Sequence, residues 1–513
     1  MSDLHPTTAR IEVAYHADAS SLFEHLGGTR ATDAVLLESA DITTRSGLMS
    51  VAVLTASLRV TCNGQRVEVE VLTGSGAVVA AHLRDRLADY AVGDNAYVFP
   101  TSAAAEERER LKAVSSAEVL RALSTSAGYE EEGFPFLAGG LAFDYLATFE
   151  HLPPVAEGPN TYPDYQFILA ETMLRIDHRE QTAHLAGITF DGTKPDLAQL
   201  ARTIETAEPK PATPTEVGTL RVTTDVSDES FRADVIKLKD NIDNGDIFQV
   251  VPARAFSAAC PDAFAAYRRL RDTNPSPYMF YVRGLDRAGE PFELFGASPE
   301  SSLKFTASNR EVQLYPIAGT RPRGLNPDGS VNHELDTRME LQLRTNAKEV
   351  AEHTMLVDLA RNDLARVAAP GTRRVAELLQ VDRYSRVMHL VSRVTATLAE
   401  DLDALDAYRA CMNMGTLTGA PKLRATELLR EMEGTRRGSY GGAVGYISGN
   451  GDMDTCIVIR SAYVSGAVAT VQAGAGVVRD SDPQAEADET LHKAYAVLNA
   501  LAQSTNSTLE VTT

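Results

Sequence analysis

The chain has 513 residues, 44% hydrophobic and 23% charged, enough apolar material for substantial cores and enough length for two or more globular lobes. Its 49 lysines and arginines stand against 70 acids, a formal charge of −21 that opposes non-specific attraction to nucleic acid or anionic lipid. Its four cysteines, Cys62, Cys260, Cys411 and Cys456, form no CxxC pair and indicate neither a disulfide framework nor a zinc site; the N-terminus lacks a basic start followed by an apolar run, so a soluble cytoplasmic protein is expected.

From 50 to 72, "SVAVLTASLRVTCNGQRVEVEVL" alternates apolar and polar residues on both sides of Asn63-Gly64, the signature of a hairpin with a type I′ turn. A helical stretch is expected at 103–125 and a second alternating pair at 172–190, "TMLRIDHREQTAHLAGITF". The proline-bearing "TAEPKPATPTEVG" (205–217) has no apolar periodicity and reads as a linker, predicting regions at 1–204 and 227–505, with 205–226 between them and a flexible tail at 506–513. Beyond the linker, Phe231, Val235, Leu238 and Ile242 recur at helical spacing until Asn244-Gly245 stops the helix. One long helix is expected over 338–361 and another from "PQAEADETLHKAYAVLNAL".

These last two helices each carry carboxylates three residues apart, Glu349 with Glu352 and Glu486 with Glu489. Either pair alone suits a solvated helix face, but two pairs across a cleft suit Mg²⁺, which takes a few carboxylates and keeps waters. The glycine-rich "GTLTGAPK" (415–422) fails the phosphate-loop pattern, because Ala420 and Pro421 separate Gly419 from Lys422. It reads as either a tight turn or a backbone-amide anion cradle before a helix starting near Pro421.

"PIAGTRPRG" (316–324), "KEVAEHTMLVDLARNDL" (348–364), "VMHLVS" (387–392), "GTLTGAPK", "GGAVGYI" (441–447) and "AGAGVVRDSDP" (473–483) together resemble the chorismate-utilising enzymes, densely over 228–500 and more loosely before it. Within them the likeness is to large subunits that form anthranilate. The resemblance implies an α+β fold: a mixed α/β sandwich with large antiparallel-rich sheets, flanked by helices around a central cleft. It implies Mg²⁺ held by Glu352 and Glu489 with Glu349 and Glu486 beside them. It places Tyr446, Arg460 and the amides of Gly474, Ala475 and Gly476 on the enolpyruvyl carboxylate of chorismate, with Lys493 balancing the metal-site charge. It makes His389 the active-site histidine and Glu300 the acid that protonates the departing ring hydroxyl, with Gly319, Thr320 and Thr416 close to substrate.

Two positions separate the reactions of the family. Gln249 stands where water-adding members carry a lysine base, and a glutamine cannot take a proton from water, though it can orient ammonia. Ala318 stands where aminodeoxychorismate synthases carry a lysine able to attack the ring. Direct amination to aminodeoxyisochorismate and then loss of pyruvate to give anthranilate, the first committed step of tryptophan biosynthesis, is therefore the implied reaction. An aminodeoxychorismate synthase and an inactive tryptophan-binding relative are the rival readings. The cysteine contexts lack a glycine-flanked nucleophile turn, so ammonia from glutamine is expected from a partner amidotransferase subunit, in a heterotetramer of two large and two small subunits.

"LLESAD" (36–41) resembles the family's tryptophan-feedback motif, and "NPSPYMFY" (274–281) its second half. The resemblance implies a pocket built from Leu37, Glu38, Ser39, Pro277, Tyr278, Met279 and Cys456, with Glu38 and Ser39 among the polar contacts to an inhibitory tryptophan. Met49 departs from relatives that have a lysine near this pocket.

Overall fold

The computed structural model describes residues 4–41, 47–208, 218–326, 330–384 and 387–512. Among the described residues twenty-two strands join one large sheet whose pairs are antiparallel, except that Thr219–Thr224 runs parallel to Thr508–Thr512. Successive residues of its inner strands serve different cores. Along Ala34–Ala40, Ala34 and Leu36 enter one core while Val35 enters the other; along Tyr278–Leu285, Met279 and Tyr281 join the first and Phe280 and Val282 the second. Such strands are apolar on both faces because helices and further strands cover both sides.

The sheet joins the N-terminal third to the rest of the chain. Ala34–Ala40 pairs with Tyr278–Leu285 in a register that sets Glu38 opposite Met279, and Phe136–Leu141 pairs with Ala443–Ser448. The helix Pro483–Ser504 starts on an Asp482 cap with Pro483 in its first turn, and it buries Ala494, Val497, Leu498 and Leu501 against the sheet. Asp228–Asp243 buries Phe231, Val235 and Leu238 as its spacing predicts, and Gly245 follows it at φ +84°.

Several local expectations give way. The helix expected over 338–361 is two, His333–Thr345 and Ala347–Ala365, because Asn346 ends one and caps the other, its side-chain oxygen accepting the Glu349 N–H at 3.0 Å. The stretch 103–125 holds two short helices, Glu107–Lys112 and Ala117–Leu123. In the first hairpin Asn63 pairs with Arg66, so Gly64 (φ +63°) and Gln65 form the turn; only Gly64 has positive φ, which excludes type I′. The tail at 506–513 contains the strand Thr508–Thr512, held by its parallel ladder to Thr219–Thr224, a strand inside the expected linker. Residues 209–217 of that linker lie outside the described residues.

Candidate active site

Glu300 sits in the turn after the strand Pro291–Ser298, with its own carbonyl accepting the Ile457 N–H at 3.0 Å. It is 6% exposed. Burial pushes its carboxyl up to about 8, while the Thr416 hydroxyl (3.3 Å to Oε1), the Ile317 N–H and the cations Lys493 and Arg460 pull the other way. Thr416 is delivered by the glycine-rich segment, whose Gly419-Ala420 pairs with Gln249-Val250. Lys422 is buried and its ammonium contacts Asp363 (2.7 Å) and the carbonyls of Cys411 and Met412. With all three donors engaged internally, this lysine is not offered to an anion, and the segment acts as scaffold.

Across the cleft, the strand Ile317–Pro322 pairs with Val387–Thr397 and bulges between Ala318 and Thr320. Gly319 occupies the bulge at φ +83°, and a methyl group there would come within 2.9 Å of Glu349 Oε2. Thr320 Oγ1 lies 2.9 Å from Nδ1 of His389, whose ring stands edge-on to Tyr384. Burial, reinforced by Arg460, lowers His389 to about 4, with the Gly319 backbone opposing. This imidazole is neutral at pH 7. His353, one turn from Glu349, is fully buried between Ser392 Oγ (2.7 Å) and the Ala318 carbonyl.

The four glutamates gather beside this strand. Burial raises the Glu352 carboxyl, and Glu349, Glu486 and Glu489 add to the rise against Lys348. Glu486 is raised by burial and by Glu489. Cations meet three of them: Arg321 reaches Glu349 at 2.7 Å, Lys348 reaches Glu352 at 3.7 Å and Lys493 reaches Glu489 at 2.6 Å. Among the described residues no three acidic, histidine or cysteine side chains converge into a finished metal cage.

Arg460, in the left-handed region at φ +50°, donates to the Lys493 carbonyl at 2.7 Å, and the Lys493 ammonium donates to the Gly474 carbonyl at 2.9 Å. The Ala475 N–H already donates to the Pro252 carbonyl, so it is not free for a carboxylate as expected. Gln249 adjoins Gly476: a methyl there would lie 2.9 Å from Nε2, and the buried Oε1 has no partner among the described residues.

Tyr446 requires correction. Its ring stacks on Phe136 at 5.1 Å and lines a separate cavity, because alternation along Ala443–Ser448 turns Val444, Tyr446 and Ser448 to that side. Tyr440 is the tyrosine beside the cations. It is buried, senses Arg460, and its hydroxyl would lie 3.1 Å from a methyl on Gly474.

The separate cavity measures about 610 Å³ and is lined by Leu37, Glu38, Ser39, Met49, Tyr278, Met279 and Cys456 together with Phe136, Arg175 and Tyr446. Pro277 is not part of its wall. Glu38 is already satisfied: Arg271 reaches it at 3.1 Å, Ser50 at 3.3 Å, and the Tyr267 hydroxyl also donates to it. It therefore holds the wall together and is not a free acceptor for an ammonium group.

The sequence matches the family of chorismate binding enzymes over residues 80–499. This chain belongs to that family. It is 48% identical over 507 residues to anthranilate synthase component 1 of Vibrio cholerae, covering 96% of this chain and 95% of that one. It is likewise 48% identical to anthranilate synthase component 1 of Escherichia coli, over 96% of each. The crystal structure of anthranilate synthase component I from Streptococcus pneumoniae superposes with a TM-score of 0.67 at 29% identity, over 88% of this chain and 92% of that one.

For a chorismate-binding enzyme the glutamate cluster is a fitting Mg²⁺ site. Its donors are hard carboxylate oxygens, and Mg²⁺ is ordinarily held by one or two carboxylates, waters and an anionic substrate, not by a complete protein cage. Tyr440 is the residue that sequence reasoning missed. The available signal was its place in "GSYGG", directly before a strand, where a turn can re-aim a side chain.

Proposed function

We propose that this chain converts chorismate and ammonia into anthranilate and pyruvate through an aminodeoxyisochorismate intermediate, the first committed step of tryptophan biosynthesis. The observation that carries the reading is Glu300, a carboxyl kept protonated at neutral pH by burial although Arg460 and Lys493 stand near it. Its proton goes to the ring hydroxyl, which leaves as water while ammonia bonds to the ring. Loss of the ring proton beside the new nitrogen then expels the enolpyruvyl group as pyruvate and aromatises the ring. His389, neutral and held at Nδ1 by Thr320, is equipped to accept that proton. Gln249 adds an orienting amide and no base.

Arg460, Lys493 and Tyr440 suit the enolpyruvyl carboxylate. Glu352 and Glu489, with Glu349 and Glu486, would hold Mg²⁺, which when bound supplies positive charge for the ring carboxylate of the substrate. Ammonia comes from a glutamine amidotransferase partner, two of each subunit forming the heterotetramer. In support, all four thiols are buried and their pKa raised, Cys260 and Cys411 to about 12, so none is a reactive thiolate. The cavity at Ser39 and Met279 is the feedback site for tryptophan. We assign the protein to the cytoplasm; no described helix is long and apolar enough to cross a membrane.

Incubating the purified chain with chorismate, Mg²⁺ and ammonium tests the reading. Anthranilate fluorescence with stoichiometric pyruvate is expected. Accumulated aminodeoxychorismate without pyruvate would instead mark a folate-branch enzyme, and no turnover with retained tryptophan binding would mark an inactive relative.

A further inference from the structure

The 610 Å³ cavity contains a cation that no acid among the described residues neutralises. Arg175 lies on the strand Tyr165–Asp177 opposite Val51, two residues from Asp177, which is opposite Met49; all four side chains line the cavity. Its guanidinium rests on the Phe136 ring at 5.2 Å, and Phe136 in turn stacks on Tyr446. Arg175 makes no hydrogen bond or ion pair among the described residues, and its buried Nε is unpartnered. Burial lowers its pKa, Tyr446 opposes the shift and Arg10 adds to it.

The other charges of the wall are committed or exposed. Lys304 faces Asp454 at 3.6 Å, Glu38 is held by Arg271, and Arg179 is exposed to solvent. A half-buried arginine whose Nε is cut off from water without an anion carries an uncompensated desolvation cost, which a ligand carboxylate would relieve through two parallel charge-assisted hydrogen bonds.

We propose that Arg175 is the carboxylate receptor of this cavity, binding the α-carboxylate of an aromatic amino acid whose ring lies against the apolar wall. This rests on the reading of the cavity as a feedback site. Met49 leaves the neighbouring position without a cation, and Arg175 supplies one from the adjacent strand.

The chain contains no tryptophan, so the fluorescence of an indole ligand reports binding without background. The test compares L-tryptophan with tryptamine, which keeps the ring and ammonium but lacks the carboxylate, on the full chain. The wild type is expected to bind tryptamine about 10- to 100-fold more weakly than tryptophan. Arg175→Leu should weaken tryptophan by about the same factor and leave tryptamine unchanged, while Arg175→Lys keeps most of the tryptophan affinity. Unaltered tryptophan affinity in Arg175→Leu overturns the proposal, as does an equal loss of both ligands. A wild-type chain that binds no tryptophan would instead overturn the feedback reading itself, and that result precedes any variant.

Discussion

Glu300 and His389 occupy one cleft and are shifted in opposite directions by the same cause. Removing water disfavours the charged form of each, so the acid keeps its proton to about pH 8 and the imidazole stays neutral down to about pH 4. On the proposed roles the acid is competent only while protonated and the base only while neutral, so kcat/KM should fall as pH rises through about 8 and as it drops through about 4. Thr416 donates to the ionised form of Glu300; Thr416→Ala should therefore move the alkaline limb to higher pH, and a limb that stays in place would remove Glu300 from that role. The same burial has a stability cost. A carboxyl that ionises at an ordinary 4.5 when unfolded and at about 8 when folded destabilises the protein increasingly as pH rises from one value toward the other. Glu300→Gln should abolish turnover with ammonium while raising stability at pH 7 by up to roughly 3 kcal/mol, read as a higher melting temperature.

Among the elements, the helices Ala347–Ala365 and Pro483–Ser504 bring the four glutamates together, and their starts are fixed by single caps. Asn346→Ala removes the acceptor for the Glu349 N–H and should cost about 1 kcal/mol, measured by chemical denaturation. Glu352→Gln and Glu489→Gln keep shape and remove charge. Each is expected to raise the Mg²⁺ concentration for half-maximal rate at least ~10-fold; an unchanged Mg²⁺ titration would remove that residue from the ligand set. Five expected substrate-side residues, Gly319, Thr320, His389, Arg460 and Lys493, fall on or beside two antiparallel strands and the last long helix, where backbone pairing holds them in place.

At the scale of the whole molecule, one sheet runs from the cavity proposed for feedback to the cleft that holds Glu300. Glu38 and Met279 are cross-strand neighbours, while Ser301, next to Glu300, pairs with Cys456 on the cavity wall. A ligand in that cavity therefore bears on strands that carry the acid, and a coupling of roughly 1 to 3 kcal/mol is expected. Ser39→Phe should fill the cavity and shift the tryptophan dose response by at least about tenfold, read in the ammonium-dependent assay. Glutamine alone should yield no anthranilate from the purified chain, since its thiols are buried.

Local spacing determined much of this protein: the period-2 and period-3.6 segments, the stop at Gly245 and the paired glutamates, while Glu300, Thr320, His389 and Arg460 were marked by motifs that resemble those of a known family. These depend on neighbours a few residues away, so they can be read in order along the chain. Tertiary structure decided the rest. Tyr440 and Tyr446 are six residues apart, but Gly441 at φ +75° turns the chain between them, and only packing sends one to Arg460 and the other to Phe136. Glu38, which the resemblance placed among the polar contacts to a ligand, is an ion pair in the fold, because its partner Arg271, 233 positions away, is brought to it by folding. The strand Thr508–Thr512 exists through Thr219–Thr224, and among the described residues no acid pairs with Arg175. Burial and charge compensation depend on residues brought together by folding, and linear order does not record them.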